Sequence, residues 1–180
     1  MDKLVNLFSL NTGTSGLLAG LPDLVKSEHL DIIFLQEIRM TSSEIELLLP
    51  GFRAESNIDE DNPMRPGTAF AWRSSLQLEG VTSLCKCTLQ IASFGSYKLV
   101  NIYAPSGTSR KREREKLFSE DLFSLLHLFP SSTWIWGGDY NCVLDRIDIE
   151  NGVNFNQKKS SGLETLIKTA GLIDVFRLLS

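Results

Sequence analysis

Apolar positions along the chain follow two periods, and the switches between them mark the elements. Leu4 to Leu10 reads as a strand. From Ser15 to Glu28 the apolar residues Leu17, Leu18, Leu21, Leu24 and Val25 recur at helical spacing, with Pro22 tolerable near the first turns. Asp31 to Gln36 is a nearly continuous apolar run, which predicts a strand covered on both faces. Thr41-Ser42-Ser43-Glu44 has the form of a capping box before a short helix through Leu49, and Pro50-Gly51 ends it. Strands are predicted at Gly67–Trp72, Val81–Ile91 and Tyr97–Ala104, with a polar loop over Asn57–Pro63. Arg110 to Phe129 reads as the longest helix, with an apolar stripe of Phe118, Leu122, Leu125, Leu126 and Phe129. Thr133–Trp136 reads as a short strand stopped by Gly137-Gly138, and Ser161–Thr169 as a last helix. Alternating strands and helices predict an α/β fold with helices packed on sheets.

Composition narrows the class. At 180 residues, with 42% apolar and 22% charged residues, the chain suits one domain over 1–180 and is neither disordered nor low in complexity. No apolar run approaches the roughly 20 residues of a membrane helix. The segment Met1-Asp2-Lys3-Leu4 lacks the pattern of a secretory leader. Cys85 and Cys87, placed on one face of a predicted strand, and the distant Cys142 read as reduced thiols, so a nuclear or cytoplasmic location is expected and secretion is not. The two histidines lack zinc-ligand spacing to any cysteine. A net charge of −4 argues against binding nucleic acid through bulk charge, but it leaves room for a nuclease that uses carboxylates to hold a metal.

Candidate chemistry collects where predicted strands end. Asn11 follows Phe8-Ser9-Leu10, Glu37 follows Phe34-Leu35-Gln36, Tyr103 ends Val100-Asn101-Ile102, and Asp139 and Asn141 follow Trp136-Gly137-Gly138. Loops beyond strand ends are where α/β folds build sites. Carboxylates gathered there suit Mg²⁺, a hard ion that prefers oxygen and keeps several waters. Taken singly, Asn11, Asp139 and Asn141 read equally well as turn residues, Glu37 as a solvated strand end and Tyr103 as a sheet aromatic.

Taken in order, four stretches resemble the motifs of the endonuclease/exonuclease/phosphatase superfamily. They are Ser9-Leu10-Asn11, Asp31 through Glu37, Asn101-Ile102-Tyr103-Ala104-Pro105-Ser106, and Gly137-Gly138-Asp139-Tyr140-Asn141. The form Asn101-Ile102-Tyr103-Ala104-Pro105, the stretch Asn141 to Arg146 and the stretch Gly171 to Arg177 resemble the endonuclease domain of LINE-type non-LTR retrotransposons. The resemblance implies a DNase I-like four-layered sandwich, two packed mixed sheets flanked by helices. It implies Mg²⁺-dependent (or Mn²⁺-dependent) hydrolysis of DNA leaving a 3′-hydroxyl, with a reverse transcriptase as a downstream partner in the full element. Glu37 would then hold the metal, Asp139 would orient the attacking water, Asn11 and Asn141 would bind phosphate oxygens, and Tyr103 would position the phosphate. Arg146 would contact DNA, or else pair with Asp145 or Asp148.

The pattern also departs from the family. Relatives continue to a later aspartate and a closing Ser-Asp-His, whereas the present sequence contains neither and His29 and His127 match no family motif. The expected consequences are a domain truncated before its last strands, an uncovered sheet edge, and weak or no turnover by residues 1–180 alone. A non-catalytic binding remnant and a superfamily phosphatase acting on another substrate are the competing readings. The acidic residue often found two positions after the first Asn is Gly13 here, which leaves Glu37 as the best metal ligand. The basic stretch Arg110 to Lys116, interspersed with Glu113 and Glu115, reads as a solvated first turn or as a DNA-backbone contact.

Overall fold

The computed structural model describes residues 4–13, 15–149 and 154–179. They fall into two compact units, one formed by Met1–Tyr103 with Thr133–Asp139 and the other by Ala104–Ser132 with Tyr140–Ser180.

The first unit holds two four-stranded mixed sheets. One is made of β1 (Leu7–Asn11), β2 (Ile32–Ile38), β3 (Phe52–Asn57) and β4 (Gly67–Arg73), in the order β1-β2-β4-β3. The other runs in sequence order through β5 (Glu79–Cys85), β6 (Leu89–Phe94), β7 (Tyr97–Tyr103) and β8 (Thr133–Asp139). The pairs β1–β2 and β7–β8 are parallel and every other pair is antiparallel. β2 is buried on both faces, as its apolar run predicts. Ile33 and Leu35 on one face pack with Leu21 and Val25 of α1 (Ser15–Ser27) and with Ile45 of α2 (Ser42–Leu48). Ile32 and Phe34 on the other face pack with Phe70, Trp72, Ala92 and Leu99, the core between the two sheets. The capping box forms as predicted: the Thr41 side chain accepts from the Glu44 N–H, and the Glu44 carboxylate accepts from the Thr41 N–H at 2.7 Å.

Three elements differ from the sequence reading. β3 was not anticipated. It is an edge strand that buries Phe52 and Ala54 and turns Arg53 and Glu55 outward, so its alternation rests on two apolar residues. Val81–Ile91 is not one strand but a hairpin, because Cys87 takes a left-handed backbone (φ 65°) at the turn between β5 and β6. Cys85 and Cys87 are therefore not on one strand face. None of Cys85, Cys87 and Cys142 is in a disulfide. Gly137-Gly138 does not stop β8, which runs through both glycines to Asp139.

In the second unit, α3 (Lys111–Lys116), a π-helical turn (Leu117–Asp121) and α4 (Leu122–Leu128) form the long helix predicted from Arg110. Leu117, Phe118, Leu122 and Leu125 are buried, together with Leu163 and Leu166 of α6 (Ser161–Ala170). The short helices α5 (Phe155–Lys158) and α7 (Val175–Leu179) complete the unit. Arg114 departs from both sequence readings of the basic stretch. It is 1% exposed, and its Nη1 donates to the carbonyls of Pro105 (2.7 Å) and Gly107 (3.2 Å). Among the described residues no helix is long and apolar enough to cross a membrane.

Candidate active site

Four of the predicted residues converge in the first unit, each at or next to the C-terminal end of a strand. Asn11 and Glu37 come from the parallel pair β1–β2, and Tyr103 and Asp139 from the parallel pair β7–β8, in which they are register partners. Asn11 Nδ2 donates to Asp139 Oδ2 at 2.6 Å, and the Tyr103 hydroxyl donates to Glu37 Oε1 at 3.2 Å. Each bond joins a residue of one sheet to a residue of the other.

Glycines make this approach possible. A Cβ on Gly137 would stand 3.3 Å from the Phe34 ring and 3.5 Å from Ser9 Cβ, so β8 lies close against β1 and β2 just before Asp139. A Cβ on Gly138, at φ 141°, would fall 2.0 Å from the Ile102 carbonyl oxygen. Only glycine fits either place without displacing a neighbour. What reads in sequence as a strand breaker is the close approach that carries Asp139 to Asn11.

Glu37 is aimed by a different device. The register of β2 against β4 shifts between Gln36 and Ile38, leaving Glu37 as the extra residue of a bulge, with φ 60°. A glutamate in the left-handed region carries a cost that the surrounding structure must hold in place, and such outliers cluster at functional sites. The Gln36 carbonyl accepts from both the Thr12 N–H (2.9 Å) and the Thr12 hydroxyl (3.0 Å). That ties the turn after β1 to the bulge.

The oxygen set fits a hard divalent ion. Glu37 Oε2 faces Gly13, where a Cβ would be 3.3 Å away, so the missing side chain leaves room beside the carboxylate. Among the described residues no group of three or more His, Cys, Asp or Glu side chains gathers as a metal cage. One carboxylate in an open place suits an ion that keeps most of its waters, as Mg²⁺ does.

Asn141 and Arg146 belong to the second unit. Asn141 has a left-handed backbone (φ 49°), and its Nδ2 donates to the Ala104 carbonyl at 2.9 Å, bracing the turn after Tyr103. Arg146 does not pair with Asp145 or Asp148, because Arg177 bridges both of those carboxylates and Asp174 as well. Its guanidinium stands over the Phe155 ring at 5.6 Å. In the same unit, burial pushes the Tyr140 phenol well above its ordinary value, so it stays protonated at any working pH.

Sequence reading missed Gln36, Asn101 and Arg114, polar side chains that are fully buried. Gln36 and Asn101 lie inside quoted motifs, but no residue pattern showed that they face each other. A polar cleft of about 460 Å³, lined by Thr41, Ser42, Glu55, Ser56, Asp61 and Lys86 among others, holds none of the predicted site residues.

Comparison with known proteins bears on the fold and the family. No curated protein sequence matches the chain. Among solved structures, an AP endonuclease, LMAP, from Leishmania major superposes with a TM-score of 0.75 at 18% identity, covering 96% of this chain and 68% of that one. TDP2 from Caenorhabditis elegans gives 0.59 at 23% identity, covering 82% and 50%. The 3′ phosphatase NExo from Neisseria, solved with a product DNA hairpin, gives 0.61 at 16% identity, covering 80% and 60%. The chain thus spans about two thirds of the first of these proteins and about half of the second. At such identities the likeness shows the fold, the DNase I-like pairing of mixed sheets. The sequence profile of the endonuclease/exonuclease/phosphatase family matches residues 6–163, and the chain belongs to that family.

Proposed function

We propose that this chain carries the phosphate-facing part of a divalent-metal-dependent DNA endonuclease of the retrotransposon type. The observation that carries the reading is the convergence of Asn11, Glu37, Tyr103 and Asp139 from four strand ends, joined across the sheets by two hydrogen bonds. DNA as substrate is supported by the AP endonuclease and the DNA-bound 3′ phosphatase among the structural neighbours. The retrotransposon branch rests on the Asn101-Ile102-Tyr103-Ala104-Pro105 and Gly171-Leu172-Ile173-Asp174 stretches.

In the reaction, a water oxygen bonds to phosphorus, the P–O3′ bond breaks and the departing 3′ oxygen takes a proton from solvent, leaving a 3′-hydroxyl and a 5′-phosphate. Asp139 orients the water and takes up its proton. The Asn11 amide, held against Asp139, is placed to donate to a phosphoryl oxygen. The Tyr103 hydroxyl fixes the Glu37 carboxylate and borders the phosphate. Asn141, whose Nδ2 donates to the Ala104 carbonyl, is assigned a phosphate oxygen by its motif alone. A divalent cation held by Glu37, Mg²⁺ or Mn²⁺, would polarise the phosphoryl oxygen and offset charge on the leaving oxygen. Arg146, stacked on Phe155, serves as a backbone contact.

Supercoiled plasmid nicking with Mg²⁺ tests the reading. Residues 1–180 should nick slowly or not at all. A longer product that includes a Ser-Asp-His motif should nick well and lose activity at least 100-fold in Glu37→Ala or Asp139→Ala. Equal nicking by the Glu37→Ala protein would overturn the assignment. A binding-remnant reading takes the Arg146 guanidinium, standing over the Phe155 ring at 5.6 Å, as its DNA contact. It predicts salt-dependent DNA binding that Arg146→Ala weakens, with no nicking at any length.

A further inference from the structure

We infer that Gln36 and Asn101 are positioning residues. Their buried amide pair fixes the two sheets in the relative register that assembles the site, and so sets the metal affinity of Glu37. The inference rests on the metal-site reading proposed above.

Gln36 is 1% exposed and Asn101 0%. Gln36 Nε2 donates to Asn101 Oδ1 at 2.8 Å. Asn101 Nδ2 donates to the carbonyls of Ala69 (2.8 Å) and Leu35 (3.1 Å), which face each other in the β2–β4 ladder. On its other side, Gln36 Oε1 accepts from the Ser9 hydroxyl at 3.4 Å. One chain of amides therefore runs from β1 through β2 to β7 and back to β4.

Its placement argues for more than packing. Gln36 immediately precedes the bulged Glu37. Ser9 and Asn101 each lie two residues before a site residue, Asn11 and Tyr103, and so on the same strand face. β3 also meets the other sheet through polar groups, the Asn57 amide donating to the Cys85 carbonyl (2.9 Å) and Gln90 Nε2 to the Glu55 carbonyl (3.0 Å). Gln36 and Asn101, by contrast, are the amide pair next to the site residues, and the contact built from Phe34, Phe70, Trp72, Ala92 and Leu99 is aromatic and aliphatic. Apolar contacts tolerate sliding. An amide pair does not, because a small shift leaves a buried donor or acceptor unpaired. Both bonds that define the site cross between the sheets, so their lengths depend on that register.

The test replaces both amides at once. Gln36→Met with Asn101→Leu removes the Gln36 donor and the Asn101 acceptor together. It also takes one bond each from the Leu35 and Ala69 carbonyls and the Ser9 hydroxyl, and a buried group left unpaired lowers stability. Mn²⁺ alone is the probe, titrated into the 180-residue chain and followed by the loss of its free EPR signal, with thermal melting in parallel. We expect the double variant to fold with a lowered melting temperature and to bind Mn²⁺ about 10-fold or more weakly at temperatures where it is folded, the usual effect of disturbing a ligand's support. Glu37→Gln should remove the site. Mn²⁺ binding as tight as wild type in a folded double variant overturns the inference while leaving the metal reading intact. If the wild type binds no Mn²⁺, or Glu37→Gln binds it as tightly, the metal reading fails and the inference fails with it. Should the double variant not fold, Gln36→Met alone, which keeps the chain length and loses only the amide, carries the same expectation and the same refutation.

Discussion

At the residue scale, the conformation of Glu37 sets function against stability. A left-handed glutamate costs about 1–3 kcal/mol, and glycine at the same φ of 60° does not bear that cost. Glu37→Gly also loses the bond from Tyr103 and adds chain entropy to the unfolded state. The opposing terms are similar in size. Urea unfolding should therefore place the variant within about 1 kcal/mol of wild type, while Mn²⁺ binding disappears. A loss of more than about 3 kcal/mol would show that Glu37 is needed for folding. Gly13 gives a complementary prediction. A Cβ there would stand 3.3 Å from Glu37 Oε2, so Gly13→Asp adds a second carboxylate beside the first. Mn²⁺ binding should tighten several-fold, with some backbone strain because φ is +23°. Unchanged affinity would mean that the ion sits elsewhere. The identity of the four strand-end residues was legible from sequence because each falls at the end of an apolar run. How Glu37 is aimed was not, since a bulge leaves no mark in a run that is buried on both faces.

At the element scale, the glycine pair of β8 shows why local reading failed. Gly-Gly ordinarily weakens a strand, so sequence logic ends β8 at Trp136. Here β7 lies so close that any side chain on Gly138 would meet the Ile102 backbone. Gly138→Ala should cost about 3 kcal/mol or more by denaturant unfolding, since a backbone atom cannot swing aside. Gly137→Ala, which meets the Phe34 ring at 3.3 Å, should cost less because a ring can shift. Equal costs would mean that the β7–β8 contact is looser than described. The loop between β3 and β4 supplies a pH prediction. Asp59 pairs with Lys86 at 2.6 Å and Arg65 at 3.5 Å, and the Lys86 hydrogen bond, chiefly, holds its carboxyl below the ordinary 3.8. A lowered folded-state value stabilises at pH above 3.8, and that stability is lost as pH falls through the folded value. Thermal melting on acidification from pH 5 to pH 2 should fall less steeply for Asp59→Asn than for wild type, and identical slopes would remove Asp59 from the account. The capping box, α1 and the long helix were legible because their signals are local. The edge strand β3 was not, since two apolar residues among charged ones form too weak a period to separate from a loop.

At the scale of the whole molecule, the sheet orders leave β1 and β3 at the edges of one sheet and β5 and β8 at the edges of the other, and among the described residues none has a strand beyond it. Such an edge presents unpaired N–H and C=O groups to any other chain. The usual protections are weak on β8, whose residues Thr133–Asp139 hold no lysine, arginine or proline and one acid, at the far end. Its side chains include Trp134 and Trp136, stacked edge to face at 5.9 Å and only half-buried. β3, at the opposite edge of its own sheet, carries Arg53 and Glu55 outward, which is how an edge is kept from pairing. β5 is as poor in charge, but its pairing with β6 is broken by register shifts, which also blunt an edge, so β8 is the edge expected to associate. Sedimentation of residues 1–180 should show self-association that grows with concentration, and Trp134→Lys, which puts a charge on β8, should reduce it. Arg53→Ala, which takes one of the two outward charges from β3, should not reduce it. A sample that stays monomeric, melts sharply and responds to neither variant would show that these backbone edges are protected by something other than strand charge. A polypeptide that supplied a further strand to β8 should suppress self-association and raise the melting temperature together, since both effects come from satisfying the same row of backbone groups.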